Sequence, residues 1–306
     1  MTNNIAIIDL GSNLTKLVVV SGKLPLQVIH RSVYDTKTLK SAPKGVFDSV
    51  SIKRIENDAK QVLEVAKSFD CSTTLGIATS AFRTRKNGKE IIANLNKKFG
   101  TSIEIIEGTR EAQLIYKGAL ASVTPRQFPV LVMDIGGGST EFIIGSETEV
   151  LWKHSFDFGS TALTNEMEIS NPLNTKDISA LNSKLGKMLP PIFEALNQFS
   201  PKTFIGTTGA FESFAQITET EKGNTLPVES GYQYDMEKLN TVLTTLISSS
   251  TESRRNIEGM NKLRVPTIHI AALIFKFVLN RLSVESYLLS LGDVKEGLAL
   301  EYLESR

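Results

Sequence analysis

Apolar residues follow two spacings along the chain, and these predict alternating strands and helices. Short β-branched runs predict strands, whereas apolar positions three and four residues apart predict helices. Strands are predicted at residues 5–9, 15–20, 74–79, 103–106, 130–134, 141–144, 202–205 and 287–291. Helices are predicted at residues 52–69, 89–99, 110–120, 175–199 (broken or bent at Pro190 and Pro191), 235–248, 268–282 and 294–303. This alternation is typical of the α/β class.

One structural unit occurs twice. Residues 130–144 repeat the design of residues 5–20, in which an apolar strand ending in an acid is followed by a glycine turn and a second strand. Aligning Asp9 with Asp134 also aligns Gly11 with Gly136. A repeated supersecondary unit in a chain of 306 residues predicts two similar domains. We expect domain I at residues 1–122, domain II at residues 123–292, and a closing helix at residues 293–306 that packs back on domain I.

Composition narrows the class of protein. The net charge is only +1, so a polyanion would be bound by a local cluster of charge, and no nucleic-acid partner is expected. Cys71 is the single cysteine, which excludes an intrachain disulfide and favours the cytoplasm. The three histidines lack metal-ligand spacing, and we expect neither a membrane span nor a signal peptide.

The two glycine turns combine the groups that bind phosphate. Glycine lets the backbone approach a ligand closely, and successive N–H groups can form an anion-binding nest. The acids Asp9 and Asp134 lie beside these turns and would repel phosphate unless a divalent cation lay between them, for which Mg²⁺ is the usual choice. For Asp9, a role in capping the turn is the alternative.

Two further segments are candidates for phosphate binding. Residues 206–210 supply N–H donors where a predicted strand meets a helix. Residues 78–89 end a strand with hydroxyl side chains and continue with four basic residues, among them Arg83 and Arg85. Phosphate contact and a solvated charge run are both open for this second segment.

The sequence resembles the exopolyphosphatase/guanosine pentaphosphatase (Ppx/GppA) phosphatase family of the actin, hexokinase and Hsp70 superfamily. The similarity runs nearly end to end, and the chain looks like the family's short, two-domain form. The matching motifs lie at residues 9–13, 78–83, 105–118, 134–141, 206–209 and 294–297.

This resemblance implies two actin-like (ribonuclease H-like) α/β domains with an interdomain cleft. It implies a Mg²⁺-dependent hydrolase that removes terminal phosphate from polyphosphate or guanosine pentaphosphate. Glu111 matches the family's proposed general base, and Asp134 and Glu141 match metal-linked acids, to which we add Asp9. The expected substrate-binding residues are Gly11, Ser12, Asn13, Lys16, Ser80, Arg83, Gly136, Gly137, Gly138, Ser139, Thr140, Thr208, Gly209 and Arg264.

Several positions depart from the family pattern. Arg110 replaces the first acid of a Glu-Glu pair, and Lys16 and Lys295 stand where other basic residues are common. Leu263 and Pro266 replace acids that usually flank the arginine at position 264. Arg110 and the changes around Arg264 leave open a catalytically weak sensor that binds polyphosphate or guanosine tetra- or pentaphosphate. An ATP-dependent small-molecule kinase of the same superfamily is the other alternative. A homodimer is compatible with the sequence, which does not define the oligomeric state.

Overall fold

The chain forms two compact units in a computed structural model that describes residues 4–38, 45–125 and 127–306. One unit comprises Met1–Ala121 with Val294–Arg306, and the other comprises Ser122–Asp293. The boundaries expected from the sequence, after residues 122 and 292, each lie one residue from these. The described residues contain no helix that is both long and apolar enough to span a membrane.

The first unit is built on a five-stranded mixed sheet with the strand order β3-β2-β1-β4-β5. β1 pairs antiparallel with β2 and parallel with β4. Its elements are β1 (Asn4–Leu10), β2 (Thr15–Val20), β3 (Val28–Tyr34), α1 (Ser49–Ser68), β4 (Cys71–Ala78), α2 (Ser80–Thr84), α3 (Gly88–Phe99), β5 (Ile103–Ile105) and α4 (Gly108–Ser122).

The second unit repeats this sheet, with the order β8-β7-β6-β9-β10. Its elements are β6 (Val130–Ile135), β7 (Thr140–Gly145), β8 (Val150–Phe156), α5 (Ser160–Glu166), α6 (Thr175–Met188), α7 (Pro190–Phe199), β9 (Thr203–Thr207), α8 (Thr208–Glu221), α9 (Met236–Ser248), α10 (Thr251–Arg255), α11 (Ile268–Leu279) and β10 (Ser286–Ser290). The chain then returns to the first unit as α12 (Val294–Glu304).

The two sheets share their register as well as their strand order. Asp9 lies opposite Lys16 in the first hairpin, and Asp134 lies opposite Glu141 in the second. The repeat read from the sequence is therefore a duplicated hairpin at the start of each sheet. This topology confirms the α/β class and the two actin-like (ribonuclease H-like) domains.

The helical segment predicted at residues 175–199 is broken at its prolines into α6 and α7, because two consecutive prolines at 190 and 191 cannot continue an α-helix. The edge strands β3 and β8, which come third along the chain in their sheets, were not predicted. Their residues are mostly half-buried or exposed, so they lack the alternation of apolar and polar positions that marks a strand with one buried face.

The helix α12 packs on the first unit's sheet. Its Ala299 contributes to a buried cluster with Ile5, Ile7 and two valines of β2. α12 approaches α4 so closely that a Cβ at Gly297 would overlap the carbonyl group of Leu114. Burial of the apolar face of β1 and β2 therefore depends on residues almost 300 positions away in the sequence.

Candidate functional site

The first hairpin turns at residues 11–14 between β1 and β2. The Gly11 N–H donates to the Leu14 carbonyl at 3.0 Å, and a Cβ at Gly11 would lie only 2.8 Å from that oxygen. A larger residue would thus disturb the turn. Asp9 and Lys16 lie side by side, with Lys16 Nζ 3.9 Å from Asp9 Oδ2. The Asn13 carbonyl accepts from the N–H of Lys37 at 2.7 Å, which fixes the turn to the loop after β3.

The second hairpin turns at residues 136–139 between β6 and β7. Glu141 is almost completely buried and accepts a hydrogen bond from Ser155 Oγ at 2.7 Å. Thr140 is also buried, and its hydroxyl donates to the Phe158 carbonyl at 2.8 Å. The Thr140 hydroxyl therefore serves the packing of the hairpin, and the donors left to this loop are mainly backbone N–H groups.

The start of α5 orients the peptides of the second hairpin. The Gly136 carbonyl accepts from the N–H of Ser160, and the Gly137 carbonyl accepts from the N–H groups of Thr161 and residue 162, all at 2.8–3.0 Å. In a trans peptide the C=O and the next N–H point in opposite directions. The N–H groups of Gly137 and Gly138 therefore point away from α5, as an anion-binding loop requires.

Gly159 makes this arrangement sterically possible. A Cβ at this position would lie 2.6 Å from the Gly136 carbonyl oxygen and from backbone atoms of Gly137. Gly159 was not among the residues predicted from the sequence. The available signal was a glycine followed by two hydroxyl residues, but its relevance depends on the unpredicted strand β8 that precedes it.

The third loop, residues 206–210, spans the junction of β9 and α8. Thr208 and Gly209 have positive φ angles of 27° and 53°, so the helix that follows is interrupted at its start. The Arg264 guanidinium lies against this loop, and a Cβ at Gly209 would come within 2.9 Å of Arg264 Nη2. The structure therefore brings three predicted residues together: Thr208, Gly209 and Arg264.

An unpredicted acid, Asp293, completes this cluster. It is fully buried and accepts from the Thr208 hydroxyl at 3.2 Å. Burial lowers the pKa of Arg264, while the carboxylates of Asp134, Glu212 and Asp293 act in the opposite direction. In the sequence, Asp293 is a single acid before a helix, which is typical of a simple helix cap.

In the first unit, the predicted base and the predicted phosphate-binding arginine are neighbours. Arg83 Nη1 donates to Glu111 Oε2 at 3.2 Å and to the Ile106 carbonyl at 2.8 Å. Glu111 is buried in the first turn of α4, and Ser80 is buried at the start of α2. A largely buried carboxylate held beside a guanidinium can accept a proton next to bound phosphate.

Arg110, the departure from the family pattern beside Glu111, has a partner outside this pair. Its guanidinium binds both carboxylate oxygens of Glu301 on α12. The ion pair raises the pKa of Arg110, with burial acting against it. Arg110 therefore attaches α12 to α4.

Over the ranges that the structure describes, no group of three or more histidine, cysteine, aspartate or glutamate side chains has the geometry of a metal site. Asp134 and Glu141 nevertheless lie directly opposite each other in the second hairpin. Like charges at opposing positions destabilise a strand pair. Two carboxylates in this arrangement fit a divalent cation, which would neutralise both.

The chain resembles known proteins over almost its whole length. Residues 17–306 match the model of the Ppx/GppA phosphatase family. Exopolyphosphatase 1 of Mycobacterium tuberculosis strain H37Rv is 24% identical over 312 residues, covering 98% of this chain and 88% of the relative. The crystal structure of an exopolyphosphatase from Cytophaga hutchinsonii superimposes with a TM-score of 0.93 at 26% identity, covering 99% of this chain and 98% of the other.

A more distant structure shares the fold. The Aquifex aeolicus member of the Ppx/GppA protein family has a TM-score of 0.80 at 22% identity, covering 100% of this chain and 99% of the other. The family match extends over nearly the whole chain, and it includes the second hairpin, the Arg83–Glu111 pair and α12. The chain belongs to the Ppx/GppA phosphatase family.

Proposed function

We propose that this chain is an exopolyphosphatase, which hydrolyses the terminal phosphoanhydride bond of inorganic polyphosphate, and that guanosine pentaphosphate is an alternative substrate. The observation that carries the proposal is the half-buried Arg83–Glu111 pair, which combines a proton acceptor with a cation. The relatives from M. tuberculosis and C. hutchinsonii, which match almost the whole chain, are both named exopolyphosphatases.

Backbone N–H groups of the glycine turns bind the phosphates in this proposal. The Gly137 and Gly138 N–H groups are aimed by the hydrogen bonds from α5 to the loop carbonyls. The turn at Gly11 is closed by its own hydrogen bond, and Lys16 contributes a cation beside it. Such loops bind anions without reorganisation, because the surrounding structure fixes their peptides beforehand.

Asp134 and Glu141 would hold Mg²⁺. When bound, Mg²⁺ neutralises negative charge on the phosphate oxygens and so favours phosphoryl transfer. Ser155 donates to Glu141 and fixes the orientation of that carboxylate. Asp9 forms an ion pair with Lys16 in its own hairpin, so we assign the metal first to the second hairpin.

The reaction needs one proton transfer at Glu111. A water molecule attacks the terminal phosphorus, and Glu111 accepts the proton that the water loses. The anhydride P–O bond breaks, so the products are orthophosphate and a polyphosphate chain shorter by one phosphate. Arg83 offsets charge on the transferred phosphoryl group, as cationic side chains do in other phosphoryl transfers.

Phosphate release tests this proposal. We would assay long-chain polyphosphate, tripolyphosphate and guanosine pentaphosphate with Mg²⁺ and after chelation. The variants are Asp134→Asn and, as a control in an exposed turn of the same unit, Glu147→Gln. We expect release from polyphosphate that needs Mg²⁺, is lost at least 100-fold in Asp134→Asn with unchanged circular dichroism, and is retained in the control.

Two results would contradict the proposal. Tight binding of polyphosphate or guanosine phosphates without any release would indicate a sensor. Transfer of the ATP γ-phosphate to a small molecule, with no release from polyphosphate, would indicate a kinase. Arg110 binds Glu301 on α12, and the Arg83–Glu111 pair is formed alongside it, which supports a hydrolase over a sensor in this proposal.

A further inference from the structure

A fully buried carboxylate lies at the end of the second unit. Asp293 is the last residue of that unit, immediately before α12, and its side chain is inaccessible to solvent. Removing a carboxylate from water is costly unless hydrogen bonds and an opposite charge compensate. The Thr208 hydroxyl, 3.2 Å from Asp293 Oδ2, supplies a hydrogen bond.

Arg264 supplies the opposite charge. Its guanidinium interacts electrostatically with Asp134, Glu212 and Asp293, and it lies against Gly209 so closely that no Cβ fits. Its backbone is also held in place, because the buried Arg254 donates from Nε to the carbonyl of the neighbouring Val265 at 3.0 Å. Arg264 is therefore fixed from both its main chain and its side chain.

We propose that Asp293 is a positioning residue for the third loop: it holds the Thr208 hydroxyl and the Arg264 guanidinium in the geometry that stabilises the transition state of phosphoryl transfer. This inference rests on the exopolyphosphatase function proposed above. Asp293 acts through its two neighbours and does not itself touch the phosphates. Its oxygen fixes the rotamer of Thr208, whose backbone is already constrained by a positive φ. Its negative charge acts, together with Asp134 and Glu212, on Arg264, which packs against the neighbouring Gly209.

Two substitutions separate the charge of Asp293 from its hydrogen bond with Thr208. Asp293→Asn keeps an oxygen that can accept from Thr208 but removes the charge opposite Arg264. Thr208→Val removes the hydroxyl and keeps the charge. Loss of a negative charge makes the loop more attractive to anions, while an unanchored arginine stabilises the transition state less well. We therefore expect Asp293→Asn to lower kcat about tenfold without raising the KM for polyphosphate.

A double-mutant cycle tests whether Asp293 acts through Arg264. We would measure kcat and KM for Asp293→Asn, Arg264→Gln and the double variant. Glu285→Gln, which removes an exposed carboxylate of the same unit, is the control. We expect Asp293→Asn to change kcat/KM less than twofold once Arg264 is replaced, since coupled residues are not additive. Independent, multiplicative effects, or a raised KM with unchanged kcat, would overturn the proposal.

Arginine NMR gives a readout that does not depend on activity. The Nε–Hε signal of Arg264, identified by its loss in Arg264→Gln, should exchange slowly in the wild-type protein and in Glu285→Gln. In Asp293→Asn it should exchange at least tenfold faster. An unchanged exchange rate would show that Asp293 does not hold Arg264. If the wild-type protein released no phosphate, the proposed function would fail, and this measurement would still decide whether Asp293 positions the arginine.

Discussion

At the scale of single residues, Glu111 is the side chain whose substitution separates catalysis from binding. Glu111→Gln keeps the size of the side chain and a hydrogen-bonding oxygen for Arg83, but it cannot accept a proton. General-base assistance is typically worth about 10²–10⁴-fold, or about 3–5 kcal/mol of barrier. We expect kcat on polyphosphate to fall by at least 100-fold and KM to stay within about threefold, as measured by steady-state phosphate release.

The alternative for Glu111 is that it only stabilises the first turn of α4, where acids are favoured. Glu107→Gln is the matched control, because this exposed residue lies in the turn before α4. If Glu111 were a helix-capping residue, Glu111→Gln would lower stability by about 1 kcal/mol and leave kcat within tenfold. In that case Glu141 becomes the next candidate for the base.

The buried His269 should make the free energy of unfolding depend on pH. It is buried in the first turn of α11, and burial, with a smaller effect from the charge of Arg254, lowers its pKa to about 3. The unfolded chain binds a proton near pH 6.5, whereas the folded protein does not, so stability is full above pH 6.5 and is lost as the pH falls toward 3.

The lowered pKa of His269 sets how much stability is lost as the pH falls. Each pH unit below 6.5 costs up to about 1.4 kcal/mol, so about 2 kcal/mol should be lost between pH 8 and pH 5. His269→Leu should remove this part of the slope in urea unfolding measured at several pH values. An equal slope in wild type and variant would show that His269 is accessible to protons in the folded protein.

At the scale of elements, the second hairpin depends on its contact with α5. Gly159→Ala would place a Cβ 2.6 Å from backbone atoms of Gly136 and Gly137, so the hairpin or α5 must move. We expect phosphate release to fall at least tenfold and stability to fall by about 2 kcal/mol, as judged from urea unfolding. The motion would turn the N–H groups of the loop away from the phosphates.

Gly186→Ala is the control for this change. Gly186 lies within α6, and its added Cβ would meet only Phe277 Cζ at 3.8 Å, an ordinary contact. Alanine is favoured over glycine inside a helix by about 1 kcal/mol, so this variant should be more stable and fully active. Normal activity in Gly159→Ala would show that the loop does not need the peptide orientation that α5 imposes.

The hairpins and the Arg83–Glu111 pair differ in how far the sequence determines them. Asp9 and Asp134 could be placed beside glycine turns because strand, acid and turn are neighbours in the chain. The contact between Arg83 and Glu111 joins residues 28 positions apart, and only the folding of β4, β5 and α4 brings them together. The resemblance to the family named both residues, whereas their proximity required the structure.

Arg110 and Asp293 show what local patterns leave out. The partner of Arg110, Glu301, is 191 positions away, so its structural role had no sequence signal. Asp293 has an ordinary position before a helix, and its importance comes from Thr208, 85 positions earlier. Arg110 gains its role from the return of the chain at α12, and Asp293 gains its role from the pairing of β10 with β9. Hydrophobic spacing encodes neither feature of the topology.

At the scale of the whole molecule, the chain path makes the stability of the first unit depend on its last residues. The core of β1 and β2 is covered by α12, and the close approach at Gly297 leaves no room for a side chain against Leu114. Gly297→Ala should therefore destabilise the first unit by about 3 kcal/mol. The second unit has its own large core and contains the single tryptophan, Trp152 on β8, so fluorescence reports on that unit alone.

This arrangement predicts different responses to two substitutions in urea. Gly297→Ala should shift the unfolding seen by circular dichroism to lower urea and leave the Trp152 fluorescence transition in place. Leu181→Ala, a large-to-small change in the fully buried core of the second unit, should lower the fluorescence midpoint by the equivalent of about 2–5 kcal/mol. If Gly297→Ala shifted both signals by the same amount, the two units would unfold as one cooperative body, and the return of α12 would then stabilise the whole chain and not the first unit alone.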